Sequence, residues 1–227
     1  METIDISMTA LLRSNILEQT LSSFFEKMFN NDHFSYRLVV NVDPIGESLL
    51  EDIKNIIFKY FGNNYIINTP LEANLAKAVK WSMLNTTSKY VFNLEDDWRL
   101  LKKVYISHMV EVLEKNKNLN FLRLPFSGAE KFLAHQKSFG FETTGKFSIA
   151  CFLSRGEIIR KIVSQMNDFE SPERQIKTDV KHNYIGSVGR YYEAMSSGHC
   201  TQDIGREWKK QRGLPKDVKI SYFESLI

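Results

Sequence analysis

The sequence has few of the features that mark secreted, membrane-spanning or disulfide-stabilised proteins. Its 227 residues include only two cysteines, Cys151 and Cys200, and they form no Cys-x-x-Cys pair. A small secreted domain would normally use more, so we expect two free thiols in a reducing compartment and no cysteine-built zinc site. No apolar run approaches the roughly 20 residues that cross a bilayer, and residues 1–5 lack the basic flank and apolar run of a signal peptide. We therefore expect a cytoplasmic protein.

Two common nucleotide-binding motifs are also missing. The sequence contains neither Gly-x-Gly-x-x-Gly nor Gly-Lys-Ser/Thr, which argues against dinucleotide oxidoreductases and P-loop enzymes. The net charge of +3 suits an anionic ligand such as a nucleoside diphosphate, but it is too small to indicate nucleic acid by itself. With no internal repeat or low-complexity linker, the length predicts one domain over residues 1–227.

Apolar patterning predicts alternating strands and helices in the first half. Short apolar or β-branched runs predict four strands, and apolar residues at helical spacing predict three helices between them. The strands are predicted at 4–12, 36–42, 65–67 and 89–94, and the helices at 15–28, 48–61 and 72–84. This order is typical of an α/β fold with a parallel sheet flanked by helices.

The second half is less regular. It predicts a helix over 104–115, a strand over 120–124, a strand over 146–153 and a helix over 155–166. The tail from Phe169 mixes polar, aromatic and basic residues with several glycines, which favours loops that build a site.

Polar side chains follow three predicted strands at the points where the strands end. They are the segment from Thr9 to Arg13, Asp43, and the cluster Glu95-Asp96-Asp97. Ligands of open α/β sheets bind beyond the carboxyl ends of the strands. We therefore expect these groups to converge on one crevice.

The acidic cluster Glu95-Asp96-Asp97 carries the strongest chemical signal. Like charges this close raise one another's pKa and destabilise the fold. Mg²⁺ or Mn²⁺ relieves the conflict because these hard cations bind carboxylate oxygens and leave positions for the phosphate oxygens of a substrate. The alternative is a solvated turn in which Asp96 or Asp97 caps the following helix.

The segments 74–81 and 89–98 together resemble the donor-site half of GT-A glycosyltransferases. In that group a helix rich in Asn and Ala precedes a buried strand that ends in an Asp-x-Asp type motif, and this chain has Glu95-Asp96-Asp97-Trp98 instead. The resemblance covers the N-terminal half well and the rest loosely. It implies a GT-A (Rossmann-like) mixed sheet, with a nucleotide-sugar half over residues 1–100 and an acceptor half with a closing segment over 101–227.

The resemblance also implies roles for individual residues. Asp97 is the direct metal ligand, while Glu95 or Asp96 reaches the ribose or a metal-bound water. The remaining implied contacts to the donor nucleotide are Thr9, Arg13, Asp43, Asn74 and Lys77, with Asp43 facing the base.

Two C-terminal segments fit the same resemblance. Glu173, or else Glu170, lies where many inverting members carry the general base that takes the proton of the acceptor hydroxyl. The same Glu-Ser-Pro-Glu run is also a good helix start, with Ser171 as N-cap. Several members close the site with a late histidine on the metal, which points to His199, and Arg206 would clamp the diphosphate. The alternative for Arg206 is a solvated basic tail helix.

The sequence therefore predicts a metal-dependent glycosyltransferase, most consistent with inversion. The donor expected from the resemblance is a UDP-sugar, and the acceptor is a glycan or a hydroxylated DNA base. A nucleotidyltransferase also uses paired carboxylates and metal, although the segment 8–14 lacks the Gly- and basic-rich loop that such enzymes need. A nucleotide- or glycan-binding module without catalysis is the non-enzyme alternative.

Overall fold

The computed structural model describes residues 1–30, 33–126, 137–138, 141–144, 147–181, 187–191 and 199–212. The described strands are β1 (Glu2–Leu12), β2 (Phe34–Gly46), β3 (Tyr65–Asn68), β4 (Tyr90–Glu95), β5 (Trp98–Leu100), β6 (Leu119–Arg123), β7 (Lys137–Ser138), β8 (Phe141–Thr144), β9 (Phe152–Arg155), β10 (Ser187–Tyr191) and β11 (Thr201–Asp203). The described helices are α1 (Ser14–Phe24), which continues into a π-helical turn at Phe25–Phe29, α2 (Leu50–Phe61), α3 (Leu75–Leu84), α4 (Ile106–Lys115), α5 (Gly156–Ser164), α6 (Pro172–Lys181) and α7 (Gly205–Gln211).

Nine of these strands form one mixed sheet in the order β3-β2-β1-β4-β9-β6-β10-β8-β7. The strands β3, β2, β1 and β4 are mutually parallel, and β9 and β8 run against their neighbours. Since β6, β10 and β7 return to the first direction, the sheet is mostly parallel. The predicted α/β class with a mixed, mostly parallel sheet in a single domain is confirmed.

Helices cover both faces of the sheet. The helices α1, α2 and α4 pack on one face with the larger apolar cluster, whereas α3, α5 and α6 pack on the other. In β1, Ile4 and Ile6 are fully buried against the first layer, while Asp5 and Ser7 are fully buried towards the second. Burial on both faces explains why the central strands read as continuous apolar runs.

A separate two-stranded sheet connects the C-terminal segment to the acidic cluster. β5 follows directly after Asp97 and pairs antiparallel with β11, so that Asp203 lies opposite Trp98. The backbone N–H of Ile204 donates to the Asp97 carbonyl at 2.8 Å. This pairing delivers α7 to the carboxyl end of β4.

Two expectations for the second half are wrong. The strand predicted over 146–153 begins only at Phe152, because residues 149–151 bend and the Ile149 carbonyl accepts the side-chain amide of Asn93 at 2.5 Å. The tail predicted as loops contains α6 and α7. Most of residues 126–145, to which the sequence pattern assigns no element, lie outside the described residues. Among the helices that the structure describes, none is long and apolar enough to cross a membrane.

Candidate functional site

The carboxyl ends of β1, β2 and β4 bring the predicted polar residues together. Thr9 on β1 lies in register with Asn41 on β2 and with Glu95 on β4, and Leu11 lies opposite Asp43. Residues in register on parallel neighbours share a face of the sheet, so these side chains border one crevice on the α3 side.

Asp96 is held entirely by groups of the protein. Arg13 Nη2 donates to Asp96 Oδ1 at 2.5 Å, and the backbone N–H of Leu11 donates to Oδ2 at 3.0 Å. Both side chains of the ion pair are nearly inaccessible, at 3% and 4% exposed. Burial lowers the pKa of Arg13, but the attraction of Asp96 and Asp97 outweighs it and raises the pKa above its ordinary value. Asp96 thus fixes Arg13 and the β1–α1 turn, and its carboxylate has little capacity left for a ligand.

The carboxylates on either side of Asp96 are more strained electrostatically. Burial, and then the charge of Asp96, raises the pKa of Asp97. Burial, and then the charge of Asp97, raises the pKa of Glu95, although Trp98 Nε1 donates to its Oε2 at 2.9 Å. Among the described residues, the Asp97 side chain receives only a long contact from Arg13, at 3.3 Å, and it is 19% exposed. Its carboxylate is therefore less tightly engaged by the described residues than that of Asp96.

Asp43 ends a chain of amide and carboxylate groups on β2 and β3. Asn68 Nδ2 donates to Asn41 Oδ1 at 2.6 Å, and Asn41 Nδ2 donates to Asp43 Oδ1 at 2.7 Å. Burial raises the pKa of Asp43, and hydrogen bonds from Asn41 and from the backbone of Asn74 oppose that effect. The chain gives the crevice a fixed set of donors and acceptors suited to a planar polar group.

The N-terminus of α3 joins this crevice to the second half of the chain. Asn74 caps the helix, since its Oδ1 accepts the backbone N–H of Lys77 at 2.9 Å. Its Nδ2 donates to the carbonyl of Asp168 at 3.2 Å. The Lys77 side chain is exposed at the same helix end.

Glu173 lies in the first turn of α6, the helix start that the sequence left as an alternative. Ser171 Oγ accepts the backbone N–H of Arg174 at 3.4 Å, which is a weak N-cap. Burial raises the pKa of Glu173, while Lys177, Arg123 and a bond with Ser148 lower it. Its charge also contributes to the raised pKa of Glu95, so it lies within electrostatic range of the acidic cluster. Glu170 is exposed on the preceding loop.

The C-terminal segment 203–212 covers Arg13 and Asp97. A Cβ atom added at Gly205 would lie 2.1 Å from Asp97 Oδ2, so only glycine allows this close approach. Trp208 lies between two guanidinium groups, with Arg13 Cζ 5.0 Å and Arg212 Cζ 4.2 Å from its ring centroid.

Other residues of this segment are engaged within the protein. Arg206, the predicted diphosphate clamp, is 66% exposed and its Nε lies 2.6 Å from Asp203 Oδ2. Arg212 pairs with Glu47. A polar cavity of about 570 Å³ lies between this segment and the start of α1. It adjoins Arg13 and Asp203, while Asp43 and Glu95 lie outside its lining.

The structure does not bring His199 to Asp97. Because β11 runs antiparallel to β5, Asp203 lies beside the acidic cluster and His199 lies beyond the opposite end of β11. The His199 side chain is exposed. The neighbours that the fold gives to Asp97 are therefore Asp203 and Gly205, and not the histidine that the sequence suggested.

The residues fit a divalent cation only if a ligand supplies further oxygens. Within the described part of the chain, no group of three or more His, Cys, Asp or Glu side chains has the spacing to hold a metal ion. Mg²⁺ is commonly held by one or two carboxylates together with substrate phosphates. Asp97, whose raised pKa reports uncompensated negative charge, suits a site of that open kind.

Comparison with solved structures places this fold beside a known group. A scan against protein-family models finds no match, and neither does a search of curated proteins. The glycosyltransferase TarS of S. aureus superimposes with a TM-score of 0.62 and 12% identity, covering 89% of this chain and 36% of TarS.

Two ligand complexes of TarS residues 1–349 match equally well. The complex with UDP has a TM-score of 0.62 at 11% identity, and the complex with UDP-GlcNAc has 0.61 at 12% identity. Each alignment covers 89% of this chain, and 60% and 58% of the TarS fragment respectively. The chain thus spans about a third of TarS and less than two thirds of the fragment. At this identity the likeness establishes the fold, and the predicted GT-A-like fold is confirmed.

Sequence reasoning missed several residues of the site. The hydrogen-bonded chain from Asn68 through Asn41 to Asp43 follows only from the register of β2 and β3. The packing of Gly205 and Trp208 on Asp97 and Arg13 follows from the pairing of β5 with β11. A three-residue strand carries no periodicity that could have revealed that pairing.

Proposed function

We propose that this protein is a glycosyltransferase that moves a sugar from a UDP-sugar to an acceptor hydroxyl with the help of Mn²⁺ or Mg²⁺. The observation that carries the proposal is that Asp96 and Asp97, although adjacent, have different partners. Asp96 is neutralised by Arg13, whereas Asp97, partly exposed beside the C-terminal segment, has a raised pKa at the carboxyl edge of a GT-A-like sheet. The UDP and UDP-GlcNAc complexes of TarS support a uridine nucleotide as donor.

Residues of the first half would bind the nucleotide. Asp43, fixed by Asn41 and by the backbone of Asn74, would accept hydrogen bonds from the base. Glu95, whose Oε2 is held by Trp98 Nε1, would accept from a ribose hydroxyl. These positions are rigid before the ligand arrives, which lowers the entropic cost of binding.

Asp97 would hold the metal together with phosphate oxygens of the donor. A bound Mn²⁺ or Mg²⁺ neutralises the charge that develops on a departing diphosphate. The protein's own part is to keep Asp97 near the crevice while the Arg13–Asp96 pair prevents the full repulsion of three carboxylates. Lys209, whose charge lowers the pKa of Asp97, would add positive charge near the diphosphate.

Glu173 would act as the general base for an inverting transfer. Its pKa is raised by burial, which increases its basicity once it is ionised. It lies in the first turn of α6, and its charge reaches Glu95 of the acidic cluster, which suits a group that meets the acceptor next to the donor. The acceptor itself is a glycan or a hydroxylated DNA base.

Donor hydrolysis without acceptor tests the proposal. The protein is incubated with UDP-GlcNAc, UDP-glucose or GDP-mannose, with Mn²⁺ or with chelator, and the products are separated by ion-pair chromatography. We expect slow, metal-dependent release of UDP and free sugar from at least one UDP-sugar. Release of UMP with a sugar phosphate would indicate nucleotidyl chemistry instead, and no product from any donor would favour a binding module. Asp97→Asn should abolish the release, and Glu111→Gln, an exposed carboxylate on α4, should not.

A further inference from the structure

We propose that the loop 167–171 is the acceptor subsite, with the ring of Phe169 as a platform on which an uncharged sugar stacks. This rests on the proposed function and narrows its acceptor from the two classes above to a carbohydrate. The observation is an exposed aromatic ring on a rigid loop beside the candidate base.

Phe169 is 89% exposed. Single exposed apolar side chains are common on protein surfaces, so exposure alone decides nothing. Phe58, for example, is 54% exposed on the outer side of α2. What distinguishes Phe169 is how its loop is held and where the loop lies.

Side chains of the protein fix the backbone of this loop from both ends. The N–H of Phe169 donates to Asn167 Oδ1 at 2.7 Å. Gln175 Nε2, from α6, donates to the carbonyls of Asn167 at 2.9 Å and Glu170 at 3.0 Å, and Gln175 Oε1 accepts the N–H of Asn167 at 2.7 Å. These bonds fix the backbone at Phe169, so a ligand that stacks on the exposed ring has to order only that side chain.

The loop bridges the donor side and the acceptor side of the crevice. Its Asp168 carbonyl accepts Asn74 Nδ2 at the start of α3, and Lys80 Nζ lies 3.5 Å from Asp168 Oδ1. At its other end, Ser171 begins α6, which carries Glu173 in its first turn. Phe169 therefore stands between the helix that borders the nucleotide and the carboxylate that would deprotonate the acceptor.

The chemistry of the loop selects a neutral sugar over a nucleic acid. An aromatic face packs against the C–H faces of a pyranose and leaves its hydroxyls for the base. A DNA base would also stack on the ring, but nucleic acid requires cations along its phosphates. Residues 167–171 supply two carboxylates, Asp168 and Glu170, and no cation. Lys80 is paired with Asp168, and the cations Arg174 and Lys177 follow only on α6. The loop itself therefore favours a carbohydrate hydroxyl as acceptor.

Saturation-transfer NMR with UDP and Mg²⁺ tests the inference. The probes are methyl glycosides of glucose, galactose, mannose, xylose and N-acetylglucosamine, and the variants are Phe169→Ala, Phe169→Trp and the matched control Phe58→Ala. We expect ring protons of at least one glycoside to be saturated by wild type, by Phe169→Trp and by Phe58→Ala. The same signal should fall about fivefold in Phe169→Ala, since stacking contributes roughly 1 kcal/mol. The uracil signal of UDP should be equal in all four proteins.

Three results would overturn the subsite: no saturation of any glycoside by wild type, an unchanged signal in Phe169→Ala, or an equal loss in Phe58→Ala. A duplex containing 5-hydroxymethylcytosine, followed by fluorescence anisotropy, provides the opposing arm. Binding of that duplex that depends on Phe169, with silent glycosides, would assign the loop to DNA and contradict the inference. A glycoside signal that depends on Phe169, observed without any uracil signal from UDP, would contradict the proposed function and still support the sugar subsite.

Discussion

Two Asp–Arg pairs, each with a buried aspartate, lie at opposite ends of the same parallel strands, and they differ in what surrounds them. At the amino end, Asp5 accepts Arg37 Nε and Nη2, both at 2.8 Å, and the backbone N–H groups of Thr87 and Ser88. At the carboxyl end, Asp96 accepts Arg13 and the N–H of Leu11, but Glu95 and Asp97 flank it with raised pKa values. Arg13 Nη1 is buried without a hydrogen-bond partner.

The carboxylate charge of the first pair is fully compensated by its hydrogen bonds, whereas the carboxylate charge around the second pair is not. Burial would raise the pKa of Asp5, but its bonds with Arg37, Ser88 and Thr87 outweigh burial and lower it. The carboxyl end instead holds three carboxylates against one buried arginine. The amino end thus stabilises the sheet, whereas the carboxyl end retains negative charge that a cation can neutralise.

Asp97→Asn should break the carboxyl end as a site without breaking the fold. We expect metal-dependent donor turnover to fall by about 10³-fold, because the variant removes the carboxylate that would hold the cation. The melting temperature should stay equal or rise, since one of three repelling charges is gone. Turnover is measured at saturating Mn²⁺, with Glu111→Gln as the matched surface carboxylate. Unchanged turnover in Asp97→Asn would remove the metal assignment.

Asp5→Asn should have the reverse signature. The free energy of unfolding should fall by about 3 kcal/mol, because Arg37 and two backbone N–H groups lose a buried ionised acceptor. Affinity for UDP with Mn²⁺ should not change, since the residue lies at the other end of β1. Urea denaturation gives the first quantity and calorimetric titration the second. A stable Asp5→Asn protein with weakened UDP binding would dissolve the contrast between the two ends.

Glu173→Gln separates chemistry from donor binding. Turnover should fall by roughly 10²-fold with donor affinity preserved, because a glutamine cannot take the acceptor proton. Glu170→Gln is the matched control, three residues earlier and exposed like Glu173. If Glu170→Gln shows the loss and Glu173→Gln does not, the base is Glu170.

The pH dependence of stability tests the contribution of the ionised Asp5 at the amino end of the sheet. The folded-state pKa of Asp5 is lowered, so its contribution is fully present above the unfolded value, about 3.9. It should be lost as the pH falls through the lower folded pKa. The difference in unfolding free energy between wild type and Asp5→Asn should therefore be constant from pH 5 to 7 and shrink below about pH 4. A difference that stays constant down to pH 2 would contradict the assigned shift.

The sequence predicted the parts of the molecule that rest on local patterns. β1, β2 and β4 are buried on both faces, so each appears as an apolar or β-branched run, and the polar residues at their ends mark the crevice. Apolar periodicity did not reveal α6, because its composition is polar and only Ile176 and Pro172 are buried among its described side chains. Only the Glu-Ser-Pro-Glu run indicated that a helix could start there. The ion pair of Arg13 with Asp96 joins residues 83 positions apart. Periodicity cannot reveal such a contact, and the sequence reading therefore assigned both residues to the ligand.

Thermal unfolding tests whether the carboxyl end of the sheet binds a nucleoside diphosphate together with a metal. Melting temperatures are measured with UDP, GDP or no nucleotide, each with Mn²⁺ and with chelator. A ligand at about 100 times its dissociation constant adds roughly 2.7 kcal/mol to the free energy of unfolding. We therefore expect a clear rise in melting temperature with UDP and Mn²⁺ together, and no rise in Asp97→Asn. No rise with any nucleotide, with or without metal, would contradict it and reduce Glu95-Asp96-Asp97 to a turn held by Arg13.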